Sequence, residues 1–96
     1  MNRRTLTKDE FNEIKELAEE LAYSPTKADG ASACRKLEFK IAMLRGKLIG
    51  DFNNCLGKMA AYAKSASGQV RDKSRWIDAM EEKLYVLESM LEGDRQ

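Results

Sequence analysis

"RGKLIGDFNNCLGKM", residues 45–59, decides how the chain folds, because two signals in it disagree. Gly46, Gly50 and Gly57 each cost roughly 1 kcal/mol against alanine in a helix interior. Asn53 and Asn54 lie among them. Yet apolar residues keep helical spacing straight through the stretch: Cys34, Leu37, Ile41, Leu44, Leu48, Phe52, Cys55, Met59, Tyr62 and Ala66. The steps are of three and four residues, a coiled-coil seam with one stutter across Leu48. This spacing predicts a helix 2 over about residues 33–66, with a break at 50–54 as the alternative.

A second stripe runs beside that seam: Ala42, Gly46, Gly50, Asn53, Gly57 and Ala60. Small residues at helical spacing let another backbone approach closely. Gly46, Gly50 and Gly57 are therefore expected to be close-packing contacts for the first helix or for a second subunit.

Upstream, Thr7 and Glu10 form a T-x-x-E capping box, flanked by Leu6 and Phe11 as a hydrophobic staple. Phe11, Ile14, Ala18 and Leu21 follow on one face, with Leu17 widening it. Pro25 disfavours helix in the residue before it, so helix 1 is expected at about 8–23. "SPTKADGAS", 24–32, reads as a loop carrying Pro25 and Asp29-Gly30, with Ser32 as the next cap. A short helical turn from Thr26 is the alternative.

Downstream, "SASGQ" at 65–69 marks a break. Val70, Lys73, Ile77, Met80, Leu84, Leu87 and Leu91 then continue the periodicity, spoiled only by Lys73. Helix 3 is expected at about 70–92, ending at Gly93.

These elements predict an all-α fold: a short N-terminal helix plus a long antiparallel helical hairpin. With 96 residues, one domain is expected. A composition of 43% hydrophobic and 34% charged residues, one proline and few β-branched residues suits helices. A helix over 32–66 would be about 52 Å long, whereas a compact domain of this size has a radius of gyration near 12 Å. The hairpin is therefore expected to be completed as a bundle by homo-oligomerisation, a dimer first. Its seam would comprise Leu37, Ile41, Leu44, Leu48, Phe52, Met59, Ile77, Met80, Leu84, Leu87 and Leu91.

Net charge is +1, but its distribution is uneven. Residues 1–30 carry a net −2, residues 31–75 a net +7 and residues 76–96 a net −4. Neighbouring segments of opposite sign favour each other. The basic centre is expected to be neutralised within the assembly.

No apolar run approaches the roughly 18–20 residues of a membrane span, and "MNRRTLTKDE" has no apolar stretch after Arg3 and Arg4 to serve as a secretion leader. No membrane partner is expected. Cys34 and Cys55, the two cysteines, read as free thiols of a cytoplasmic protein.

Histidine is absent from the sequence, which removes the commonest general base and metal ligand. No phosphate-cradling glycine loop precedes a helix after a strand. Glu19-Glu20 and Glu81-Glu82 diverge around a helix and read as solvated faces. The expectation is a protein without catalytic residues, cofactor or metal.

Two binding readings follow. Phe39, Met43, Ile49, Leu56, Trp76, Tyr85, Val86 and Met90 add apolar surface beyond the seam. Trp76, Tyr85 and Phe39 are the candidate partner-binding residues, since aromatic anchors dominate interfaces. The protein would be a small regulator, adaptor or inhibitor of a partner protein. In size and shape alone it is similar to small phage-type regulators such as antirepressors. The alternative is nucleic-acid binding through the basic segment 35–75, with Arg35, Lys36, Lys40, Arg71 and Arg75 as contacts. Asp72, Asp78 and Glu38 interrupt those clusters, and the pI of about 7.7 lies below that of a dedicated binder.

Overall fold

The computed structural model describes the backbone of residues 3–93 and the side chains of residues 3–91. Four helices follow in order: α1 (Lys8–Ala22), α2 (Lys27–Arg45), α3 (Gly50–Ala66) and α4 (Lys73–Gly93). No strand occurs among the described residues, and none of their helices is long and apolar enough to cross a membrane.

α1 begins where its capping box sets it. The Thr7 hydroxyl accepts from the Glu10 N–H at 3.2 Å, and the Glu10 carboxylate accepts from the Thr7 N–H at 3.0 Å. Leu6 and Phe11 are both buried, as a staple requires.

The first correction concerns residues 24–32, of which only 24–26 form a loop; the alternative of a helical start at Thr26 holds, and it runs on as a full helix. α2 already starts at Lys27, with the Thr26 hydroxyl accepting from the Asp29 N–H at 3.1 Å. Gly30 lies within this helix, and what it touches explains why it carries no side chain. A Cβ there would lie 2.9 Å from both Ser24 Oγ and Ser67 Oγ. Glycine here allows α2 to close on the ends of α1 and α3.

The second correction concerns helix 2, which is not continuous. It ends at Arg45 and restarts at Gly50, so the break lies at 46–49, ahead of 50–54. The freed carbonyls find donors: Asn53 Nδ2 donates to Arg45 O at 2.8 Å, and the Arg3 guanidinium donates to Leu48 O at 2.9 Å. Arg4 clamps the turn from both sides, its N–H on Lys47 O at 2.8 Å and its carbonyl accepting from Ile49 N–H at 3.0 Å. Backbone groups left over at a helix end must be satisfied somewhere.

These links fix the directions. The start of α1 meets the α2–α3 turn, and Ser24, just after α1, accepts from the Gly68 N–H at 3.0 Å. α1 and α3 therefore run in the same direction, with α2 and α4 antiparallel to them. This is an up-down-up-down arrangement in which α1 touches all three other helices, while α2 and α4 do not touch.

The third correction follows from that geometry. Leu37, Ile41, Leu44, Leu48, Phe52, Met59, Met80, Leu84, Leu87 and Leu91 are buried inside one chain, and Ile77 packs half-buried against them. The broken helix folds back on α1 rather than extending as a rod. The molecule measures 40 × 22 × 19 Å, with a radius of gyration of 13.2 Å. This seam does not need a second copy to cover it.

Gly46, Gly50 and Gly57 are exposed, and a Cβ at any of them would meet nothing within 4 Å. They are not close-packing contacts. Alanines take that part: Ala18, Ala22, Ala33, Ala63 and Ala66 are almost fully buried in the core.

Lys73, the flaw in the apolar periodicity, sits where three helix ends converge. Its ammonium donates to Ala66 O at 2.6 Å, Gly68 O at 2.8 Å and Ser24 O at 3.3 Å. Gly68 and Asp72 adopt positive φ in the connection to α4, at 83° and 60°.

Candidate functional site

Beside the buried stripe of α1 runs an edge of Glu13, Glu16, Leu17 and Glu20. Beside that of α2 runs an edge of Lys36, Phe39, Lys40 and Met43. Helical spacing puts each set on one side of its helix. Because the two helices pack antiparallel, the edges face each other across a groove of about 340 Å³.

The floor and lip of this groove are apolar. Leu17 is half-buried against the core, while Phe39 is 67% and Met43 53% exposed. Phe39 and Met43 lie one helical turn apart and together form an apolar step. The flanks differ in sign, acidic from α1 and basic from α2. Lys40 Nζ bridges them by pairing with Glu13 at 2.9 Å.

The three aromatic candidates do not share a surface. Tyr85 is 71% exposed on α4, beside a smaller hollow of about 170 Å³ between α1 and α4. Trp76 is half-buried and stacks on Tyr62, with ring centroids 6.0 Å apart and planes at 27°. Phe39 alone of the three borders the α1–α2 groove. Met43 and Leu17 complete it. The widening of the α1 stripe by Leu17 was readable in the sequence, but the packing of α2 beside it, which brings Met43 to the same groove, was not.

The basic residues are likewise divided. Arg35, Lys36 and Lys40 stand on α2, Arg75 on α4, and Arg71 in the connection before it. Since α2 and α4 do not touch, these cations form two groups rather than one stripe. Glu13, Glu16 and Glu20 share the groove with Lys36 and Lys40. Lys64 is held by the Glu38 carboxylate, which pushes its pKa up through their hydrogen bond.

Two polar side chains are tied to structure. Burial pushes the Cys55 thiol up in pKa, and its Sγ donates to Lys83 O at 3.3 Å. Burial, together with the Glu81 carboxylate that its hydroxyl reaches at 3.2 Å, pushes the Tyr23 phenol up. Cys34 and Cys55 are free cysteines on different helices.

Compared with known protein families, curated proteins and solved structures, the chain shows no significant match.

Proposed function

We propose that the protein is a non-catalytic interaction module, a small regulator, adaptor or inhibitor that acts by occupying a partner protein through the α1–α2 groove. The observation that supports this reading is the exposure of Phe39 and Met43 beside Leu17, in a chain that covers most of its other large aliphatic side chains itself. Full burial of either side chain would contribute roughly 1.5–3 kcal/mol. The groove suits an amphipathic helix, with its apolar side chains on Leu17, Phe39 and Met43 and its charges on the two flanks. A cytoplasmic setting agrees with two free thiols.

The test is capture of the partner by wild type, by a Phe39→Ser/Met43→Ser variant and by Tyr85→Ala, with circular dichroism confirming that each is folded. The groove variant should lose the partner, and Tyr85→Ala should keep it. Equal capture by all three would overturn the assignment. Nucleic-acid binding through Arg35, Lys36 and Lys40 is the competing outcome. It would appear as an affinity for duplex or single strands that falls steeply with salt, because phosphate contacts release counterions.

A further inference from the structure

The charges around the α1–α2 groove are not balanced within the chain. Glu13, Glu16 and Glu20 follow at steps of three and four residues, so all three carboxylates stand on one edge of α1. Lys40 neutralises Glu13 at 2.9 Å. Glu16 and Glu20 are exposed and have no ion-pair partner among the described residues. No cation on α1 relieves them: one turn away lie Asn12, Glu13 and Glu19 for Glu16, and Leu17, Tyr23 and Ser24 for Glu20. Like charges one turn apart repel. On the α2 wall, Lys36 is likewise without an ion-pair partner among the described residues. Two unpaired carboxylates therefore face one unpaired ammonium.

The apolar contacts lie on the other side of the groove. Phe39 is 67% exposed on α2, and Met43, one turn on, is 53% exposed. Lys40 is less exposed than either and stands closer to the buried stripe. Leu17 forms the half-buried floor between this apolar step and the acidic rim. A helix laid here would meet carboxylates along its edge against α1, and apolar side chains below and against α2. Glu16 and Glu20 are four residues apart, as are Phe39 and Met43. Both pairs thus match one helical turn of the occupant.

We propose that the occupant of this groove is a basic-edged amphipathic helix of a partner protein. Its apolar stripe lies on Leu17, Phe39 and Met43, and lysine or arginine one turn apart lies against Glu16 and Glu20. This rests on the groove being the docking site and adds the sign of charge that the partner carries. Lys36 repels a cation on the α2 side, so it directs the basic edge to α1 and holds the helix in one direction.

The probe is a synthetic peptide of about 18 residues, long enough to form a helix, with leucines at helical spacing, lysines along one edge and glutamines along the other. A second peptide carries glutamates in place of the lysines. Binding to the full chain is read by fluorescence anisotropy and located by amide shifts of the ¹⁵N-labelled protein. The lysine peptide should saturate with shifts centred on Leu17, Phe39 and Met43, and the glutamate peptide should bind roughly tenfold more weakly. Glu16→Lys/Glu20→Lys should reverse that order, and Glu16→Gln/Glu20→Gln should level it, with circular dichroism confirming the fold of each. Tyr85→Ala, on α4, should change neither affinity. Loss of both peptides in Phe39→Ser/Met43→Ser, with their order indifferent to the Glu16 and Glu20 variants, would keep the groove as the docking site and overturn its basic partner. Affinities unchanged by Phe39→Ser/Met43→Ser would overturn both. No saturable binding of the lysine peptide up to millimolar concentration would overturn the basic-edged helix, as would self-association of the chain or duplex DNA giving the shifts at Phe39 and Met43 in its place.

Discussion

Lys73 shows how a single residue can contradict a pattern and still stabilise the fold. By periodicity it spoils an apolar face. In the molecule it donates to three carbonyls at the ends of α1 and α3, two of them at 2.6 and 2.8 Å. Lys73→Met would repair the pattern and leave those carbonyls without their donor. It should lower stability by about 2 kcal/mol in urea denaturation, and a gain would refute this role. Glu10 gives a pH signature. Its hydrogen bond to Arg4 holds its carboxyl at about 2, against an ordinary 4.5. A depressed folded pKa contributes stability that is complete above 4.5 and is lost as pH falls from there towards 2. Because Arg4 is largely solvated, the loss should be about 1 kcal/mol, and Glu10→Gln should flatten it in acid titrations of stability. The capping box was legible because its partners lie within four residues. The Lys73 partners include Ser24, 49 positions away, and no local pattern reports them.

At the scale of elements, apolar spacing alone cannot distinguish one helix from two helices joined by a turn that keeps phase. Leu48 lies in the turn, outside any helix, yet is fully buried, so the seam passes through the break uninterrupted. The glycines and Asn53 carried the true signal, since Asn53 donates to the last carbonyl of α2, that of Arg45. Reading those glycines as packing contacts predicts that alanine is harmful at Gly57; the structure predicts the reverse. Gly57→Ala adds a Cβ into open space within α3 and should stabilise by about 0.5–1 kcal/mol. Gly30→Ala should destabilise by about 2 kcal/mol, because its Cβ meets two hydroxyls and Leu21. Thermal melts of the two variants should therefore shift in opposite directions. Gly30 was misread as a turn residue because its constraint comes from α1 and α3 rather than from its neighbours in sequence.

For the whole molecule, the all-α class was readable from composition and periodicity, and the four-helix closure was not. The longest apolar stripe implied a rod, and a rod implied a partner to cover it. The break at 46–49 changes that inference. α2 and α3 fold around the 15-residue α1, whose own stripe of Phe11, Ile14, Ala18 and Leu21 becomes central. The apolar surface that stays outside is concentrated in a few residues, and the α1–α2 groove follows from which of those lie together. The segmental charges, acidic then basic then acidic, are partly met inside the chain where Lys40 of the basic segment pairs with Glu13 of the first acidic one.

That one copy closes its own core is tested most directly by the dependence of the thermal midpoint on protein concentration, with mass followed by sedimentation equilibrium. The predicted result is a midpoint independent of concentration and a folded species of 10.9 kDa. A midpoint that climbs with concentration, together with loss of helix on dilution to the single chain, would contradict it.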